Sequence, residues 1–216
     1  MKPAFLFING VRCDPEDRDL WVWRAHRHVD RLGAESVPFP YHTWAVLRFS
    51  EQTGHVVDVA RELHILYTEL DPLRPVVVAA HSNGVALVLA ALKLIAPSPL
   101  HLHLFAGAAD PDCERNGLNA AIRAGKVASA AFYCSANDAA LKWPARLSRW
   151  LTLGLGGYGD VGRIGPKNYV ADGRVRTVWD DRMGHSDWFA GANFERTMRM
   201  VVASADDETP TALGGA

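Results

Sequence analysis

The chain has 216 residues, of which 49% are hydrophobic and 22% charged, a composition typical of one globular domain. A formal net charge of −1 at pH 7 argues against a nucleic-acid-binding protein, and no apolar run approaches the roughly 20 residues that membrane insertion requires. Three cysteines are too few for a disulfide scaffold. We therefore expect a reduced, cytoplasmic protein, and the oligomeric state stays open.

Short apolar runs alternate with helical patterns along the whole chain. The run at 75–80 contains three consecutive valines and predicts the clearest strand, whereas Pro38 and Pro40 weaken the strand at 35–39. The predicted elements in chain order are a strand at 4–8, a helix at 19–31, a strand at 35–39, a helix at 56–70, a strand at 75–80, a helix at 85–95, a strand at 100–105, a helix at 116–124, a strand at 130–134, a helix at 139–151, a strand at 174–179 and a helix at 189–202.

This alternation predicts an α/β fold with a mostly parallel sheet of about six strands and helices on both faces. Residues 1–202 are expected to form the one domain. The polar residues from 203 to 216 are typical of a disordered tail, and the six glycines within 154–166 indicate a loop.

Polar side chains follow the predicted strands at the edge where open parallel sheets bind their ligands. The sharpest signal is Ala80-His81-Ser82-Asn83-Gly84, a tight turn between the valine strand and an apolar helix. A serine on such a turn projects its hydroxyl above the sheet, and small residues two before and two after it relieve crowding. Asp138 and His185 come after later strands, in that order.

The pattern resembles the α/β-hydrolase superfamily over roughly residues 4–202, with serine, acid and histidine in the superfamily's chain order. Ala80 stands in place of the usual first glycine of the turn, and Asn9 in place of the histidine of the usual His-Gly pair. The usual antiparallel first strands and a long lid insertion are missing. The chain is thus similar to small, lidless hydrolases of unassigned substrate.

The resemblance implies a role for each residue of the site. Ser82 would be the nucleophile, His185 the general base and Asp138 the acid that orients the histidine. Asp110 and Asp112, which follow the preceding strand, stay open as alternatives for the acid. The remaining expected site residues are Asn83 and Val11, whose backbone N–H groups would form the oxyanion hole, and Asn9, Gly10, Trp21 and Trp188, which would line the substrate pocket.

The expected function is that of a serine hydrolase, which cleaves a carboxylic ester or thioester of a small acyl substrate through an acyl-serine intermediate. No cofactor is expected, and no metal, because His101 and His103 share a strand face without an evident third ligand. Cys134 is expected to be inert packing. The alternative is a catalytically silent scaffold or binding protein of the same fold. A nucleotide-binding protein is disfavoured because the first strand does not lead into a Gly-x-Gly-x-x-Gly turn.

Overall fold

The computed structural model describes residues 2–11, 14–42, 49–68, 74–96, 99–142 and 159–203. The strands are β1 (Ala4–Ile8), β2 (Glu35–Phe39), β3 (Val76–His81), β4 (Leu100–Phe105), β5 (Val127–Cys134) and β6 (Val175–Trp179). The helices are α1 (Trp21–Arg31), α2 (Phe49–Thr68), α3 (Asn83–Ala91), α4 (Leu118–Arg123), α5 (Val161–Ile164) and α6 (Gly191–Ala203), with a 3₁₀ turn at Asp187–Phe189 before α6. Residues 139–142 are also helical.

The six strands form one parallel sheet in the order β2-β1-β3-β4-β5-β6, which confirms the predicted sheet. The sheet is fully parallel in the described residues. Strand β2 forms all five of its predicted residues even though Pro38 lies within it. Because β2 is an edge strand, the missing N–H of a proline removes no hydrogen bond from the sheet interior.

Helices cover both faces of the sheet, as the alternating pattern predicted. Successive strand residues point to opposite faces, so Leu6 and Ile8 pack with α2 and α3 on one side, whereas Phe5 and Phe7 pack with α1 and α6 on the other. Both faces are therefore buried. This double burial explains why the inner strands are continuously apolar instead of alternating with polar residues.

The register of the sheet brings five strand ends to one edge. Ile8 pairs with Ala80, His81 with Phe105, and Cys134 with Trp179. The loops that follow β1, β3, β5 and β6 therefore leave the sheet at nearly the same level. This is the edge where the sequence placed the polar residues of the site.

The structure also differs from the sequence prediction in places. Helix α2 begins at Phe49, seven residues before the predicted start at Val56, and the predicted loop at 154–166 contains the short helix α5. The rest of the predicted helix at 139–151, most of the glycine-rich stretch and the tail at 204–216 lie outside the described residues. None of the described helices has the length and hydrophobicity that a membrane span needs.

Candidate active site

Ser82 lies on a sharp turn between β3 and α3, in a backbone conformation that few residues other than glycine adopt. Its φ is 56° and its ψ is −123°. Such strain persists only where the surrounding structure holds it, and it is concentrated at functional sites. A Cβ at Gly84 would lie 2.4 Å from the Asn9 carbonyl oxygen, and one at Gly10 would lie 2.9 Å from the Cβ of Ser82. Glycine at both positions therefore allows the end of β1 and the start of α3 to pack this closely beside Ser82.

Three predicted side chains meet in a chain of hydrogen bonds. The Nε2 atom of His185 is 2.9 Å from the Ser82 hydroxyl, and its Nδ1 atom is 2.8 Å from Oδ2 of Asp138. An ionised carboxylate accepts only, so Nδ1 carries the proton and Nε2 is the acceptor for the serine O–H. Asp138 is 1% exposed and Ser82 is 3% exposed. The imidazole thus joins a buried carboxylate to a hydroxyl that can lose its proton to it.

Asp138 is fixed by the turn that follows β5. Its backbone N–H donates to the Ser135 carbonyl at 3.2 Å, and its Oδ1 atom accepts the backbone N–H of Leu141 at 3.2 Å. The helical turn at 139–142 therefore begins with the Asp138 carboxylate as its cap. One carboxylate oxygen caps the helix and the other binds His185, so the capping role and the histidine contact occur together.

Asp110 and Asp112, the other candidate acids, lie in a different set of contacts. Asp110 accepts the guanidinium of Arg115 at 3.0 Å, and Asp112 accepts the side-chain amide of Asn168 at 3.0 Å. The Asn168 bond, together with neighbouring backbone N–H groups, lowers the pKa of Asp112. Within the described ranges, neither carboxylate is hydrogen-bonded to His185. The structure therefore brings His185 together with Asp138.

His81 supports the loop that carries His185. Its Nε2 atom is 2.8 Å from the backbone carbonyl of His185, which can only accept, so Nε2 of His81 carries a proton. The two imidazole rings are 4.8 Å apart between centroids. Burial, with a smaller effect of the neighbouring His185, lowers the pKa of His81 to about 3. His81 is thus a neutral donor that holds the loop carrying His185.

The 3₁₀ turn after His185 is held from two further directions. The Oδ2 atom of Asp187 accepts the backbone N–H of Gly184 at 2.7 Å, which closes the loop around the histidine. The guanidinium of Arg24, on α1, donates to the Phe189 carbonyl at 3.2 Å and lies over the ring of Phe194. These contacts tie the histidine loop to the helices behind the sheet.

The segments expected to supply oxyanion donors lie on either side of Ser82. Asn83 is the first residue of α3, and the first N–H groups of a helix have no acceptor within it. Val11 follows Asn9 and Gly10 at the end of β1, and Gly10 touches Ser82. The structure thus places the two segments expected to form the oxyanion hole next to the Ser82 turn.

The two tryptophans expected in the pocket lie in the core. Trp188 is 1% exposed and packs against Phe105 and Tyr133. Trp21 is also buried, with its ring stacked on Phe189 at 3.9 Å between centroids. Their indole N–H groups are buried and have no hydrogen-bond partner within the described ranges. Both rings therefore act as packing behind the histidine loop in this structure.

Two further titratable groups of the inner strands, His103 and the Cys134 thiol, are buried and neutral. Burial lowers the pKa of His103 to about 3 and raises that of the Cys134 thiol to about 12. His103 is hydrogen-bonded to the Tyr133 hydroxyl at 2.8 Å, and His101 to Ser129 at 3.0 Å. No group of three or more possible metal ligands occurs in the described part of the chain. Cys13 lies outside that part.

One contact at this site involves a residue that sequence patterns did not single out. The hydroxyl of Tyr41 accepts the side-chain amide of Asn83 at 3.1 Å, and the Tyr41 backbone N–H donates to Oδ1 of Asn9 at 3.2 Å. Tyr41 comes two residues after β2, the neighbour of β1 in the sheet. That position at the carboxyl edge was the only available signal, because a single tyrosine in a loop forms no motif.

Comparison with solved structures finds similar folds at low sequence identity. The protein TT1662 from Thermus thermophilus matches with a TM-score of 0.56 and 14% identity, over 95% of this chain and 88% of that one. A methylesterase, MES16 from Arabidopsis, matches with a TM-score of 0.50 and 13% identity, over 94% and 99%. Alpha/beta hydrolase domain-containing protein 10 from mouse matches with a TM-score of 0.51 and 11% identity, over 96% and 89%.

No protein-family model matches the chain, and no curated protein matches it in sequence. The structural matches span nearly the whole chain and nearly the whole of each neighbour, so they concern the complete sheet and its helices. At this level of identity they establish architecture alone. Helices cover both faces of the six-stranded parallel sheet, and a sharp turn that carries Ser82 follows β3. This architecture is the α/β-hydrolase fold.

Proposed function

We propose that this protein is a serine hydrolase that cleaves a carboxylic ester or thioester of a small acyl substrate. The observation that carries the proposal is the continuous hydrogen-bonded chain from Ser82 through His185 to Asp138, at 2.9 and 2.8 Å. A serine hydroxyl is a weak nucleophile at neutral pH, and this arrangement supplies the base that it needs. No cofactor takes part in the proposed reaction.

In the acylation half, the Ser82 oxygen attacks the carbonyl carbon of the substrate while His185 Nε2 takes the serine proton. The carbonyl oxygen becomes an oxyanion, which the backbone N–H groups of Asn83 and Val11 would bind. The carbon–oxygen or carbon–sulfur bond then breaks. The leaving alcohol or thiol takes the proton from His185, and the acyl group stays on Ser82.

In the deacylation half, water replaces the leaving group. His185 removes a proton from the water as it attacks the acyl carbon, and the same two N–H groups would bind the second oxyanion. The bond to Ser82 breaks, the serine oxygen takes the proton back from His185, and a carboxylic acid leaves. Throughout both halves, the Asp138 carboxylate would stabilise the positive charge on the imidazole and keep its Nδ1 proton in place.

The structural neighbours agree with this proposal at the level of fold. The Arabidopsis neighbour is a methylesterase, and the mouse neighbour carries an alpha/beta hydrolase domain. One fold can host unrelated functions, so the argument depends on the site geometry. The positive φ of Ser82 also supports the proposal, because strained backbone conformations of this kind are concentrated at functional sites.

The test is covalent labelling with an alkyl fluorophosphonate, followed by mass spectrometry of the modified peptide. In the wild-type protein, Ser82 should displace fluoride from phosphorus and carry the adduct. The His185→Ala variant should label at least roughly 1000-fold more slowly, because the hydroxyl then has no base. Ser82→Ala should not be labelled at this position.

A matched control is His101→Ala, which removes a half-buried imidazole from β4 that is bonded to Ser129 and not to the serine. This variant should label at the wild-type rate. Folded wild-type protein that gives no adduct on Ser82 would contradict the proposal and favour a catalytically silent scaffold. In that case the serine turn would be architecture alone.

A further inference from the structure

The proposed reaction requires two chain segments to be held in register, and this inference rests on that proposal. The oxyanion donors come from the loop after β1 and from the first turn of α3. Parallel pairing between β1 and β3 ends at Ile8 and Ala80, before either donor. Beyond that point the sheet no longer fixes the distance between the segments. Donors misplaced by about 1 Å can lose much of a catalytic effect, so another contact must hold them.

Tyr41 contacts both segments. Its backbone N–H donates to the side-chain oxygen of Asn9, which directly precedes the Gly10-Val11 segment, at 3.2 Å. Its hydroxyl accepts the side-chain amide of Asn83, the residue after the proposed nucleophile, at 3.1 Å. The tyrosine therefore adds two hydrogen bonds between segments that also pack against each other at Gly10 and Gly84. Its own backbone is anchored by β2, on the far side of β1 from Ser82.

All three members of this bridge are buried. Asn9 is 0%, Asn83 2% and Tyr41 3% exposed. Hydrogen bonds out of reach of water hold their geometry, because a buried polar group that loses its partner has no water to replace it. The Nδ2 atom of Asn9 is buried and has no hydrogen-bond partner among the described residues, so this asparagine lowers the free energy of unfolding. An asparagine at such a site is better explained by what its Oδ1 atom holds than by packing.

We propose that Tyr41 is a positioning residue for the oxyanion hole. Its backbone N–H holds the segment that carries Val11, and its hydroxyl holds the segment that carries Asn83. Among the described residues it is hydrogen-bonded to both donor segments and to neither Ser82 nor His185, so it acts on the reaction through the donors. Loss of the hydroxyl should therefore slow the chemical step and leave substrate binding unchanged.

The experiment measures fluorophosphonate labelling at several probe concentrations, which separates the maximal rate kinact from the half-saturating concentration KI. The phosphoryl oxygen of this probe takes the place of the oxyanion. Tyr41→Phe should lower kinact roughly 10- to 100-fold, with KI unchanged, because it releases the Asn83 donor without deleting it and keeps the backbone bond to Asn9. Circular dichroism and a melting curve establish that the variant is folded.

The matched control is Tyr133→Phe. This variant also removes one buried tyrosine hydroxyl with a hydrogen-bonded partner, His103, but it does so within the core behind the sheet. It should leave kinact unchanged within about twofold even if it lowers the melting temperature. An equal fall of kinact in both variants would show a general effect of lost stability and would overturn the proposal.

A double-mutant cycle tests the bridge itself and serves also if Tyr41→Phe is poorly folded. Asn83→Ala keeps the backbone donor and removes the amide that binds Tyr41. The single variant should be as slow as Tyr41→Phe, and the double variant no slower than either, because both break one contact. Additive losses would overturn the bridge while leaving Ser82 labelling intact. Wild-type protein that does not label at all removes the proposed function and this inference with it.

Discussion

Two neighbouring strands, β4 and β5, end in acidic turns at the same edge of the sheet, and only one of these turns serves the histidine. After β4, Asp110 and Asp112 accept hydrogen bonds from Arg115, Asn168 and the backbone of their own turn. After β5, Asp138 accepts one backbone N–H and the imidazole of His185. The two regions share strand context and charge. They differ in which donors surround the carboxylate.

A carboxylate with a structural role and one that is available for chemistry differ in the donors that bind their oxygens. In the β4 turn, Oδ1 of Asp110 accepts the Asp112 N–H and the exposed guanidinium of Arg115, and Asp112 accepts backbone N–H groups of its own turn and the Asn168 amide. In the β5 turn, the helix takes Oδ1 of Asp138, and Oδ2 is left for a side chain 47 residues further along the chain. A carboxylate that reserves one oxygen for a distant imidazole is the one that can orient it.

The largest effect is expected for Asp138→Asn. An amide keeps the shape of the carboxylate, but its NH₂ group favours the wrong imidazole tautomer and gives no charge to offset the imidazolium. Ester hydrolysis should fall by roughly 10⁴-fold in kcat, as expected for a triad that loses its acid. The measurement is kcat for a p-nitrophenyl ester, with the melting temperature recorded beside it.

Asp138 would not be the acid that orients His185 if Asp138→Asn kept more than about a tenth of the wild-type kcat. The same assignment would be contradicted if Asp110→Asn lost as much activity as is expected for Asp138→Asn. Either result would move the orienting acid to the β4 turn, the alternative that the sequence left open. Because both turns tolerate an amide of equal size, the two variants are matched in volume.

Much of this arrangement could be predicted from sequence because it depends on local patterns. The valine strand, the Ala80 to Gly84 turn and the chain order of serine, acid and histidine are all readable from neighbouring residues. The choice between Asp138 and Asp110 was not, because it depends on which distant donor reaches each oxygen. The bridge by Tyr41 was hidden for the same reason, since its partners lie 32 and 42 residues away.

The two tryptophans expected in the substrate pocket show where closeness in sequence is a weak guide to position. Trp21 and Trp188 were placed near the site because they lie close in sequence to Gly10 and His185, respectively. In the fold, the Trp21 ring stacks on Phe189 and the Trp188 ring packs against Phe105, both in the core behind the sheet. Closeness in sequence to Gly10 or His185 places a residue near the carboxyl edge of the sheet. It does not decide whether the side chain points to the site or into the core.

A second, smaller effect concerns the acid that follows β6. Asp180 accepts the guanidinium groups of Arg182 and Arg196, at 2.9 and 3.0 Å, and these contacts hold its pKa well below the ordinary 3.8. A carboxyl with a lowered pKa in the folded state stabilises that state above its unfolded pKa, and the stabilisation is lost as pH falls below about 4. The wild-type protein should therefore lose free energy of unfolding between about pH 5 and 2.

Asp180→Asn should flatten this part of the curve, because an amide does not titrate. The measurement is the free energy of unfolding by urea at each pH, and the matched control is Asp30→Asn, an exposed acid on α1. The control should keep the wild-type slope. An unchanged slope in Asp180→Asn would show that its two arginine contacts, both of them exposed partners, are screened by water and stabilise nothing measurable.

The smallest effect is expected for Asp112→Asn, and it sharpens the comparison from the β4 side. The amide oxygen can still accept the backbone N–H groups of Glu114 and Arg115, so the turn should survive. At the Oδ2 position an NH₂ group replaces the acceptor of the Asn168 amide, so that bond and the ion pair with Arg115 are lost. We expect a small fall in melting temperature and a labelling rate of Ser82 within about twofold of wild type. A larger loss of labelling at unchanged stability would mean that this turn reaches the site through contacts beyond those of its own loop.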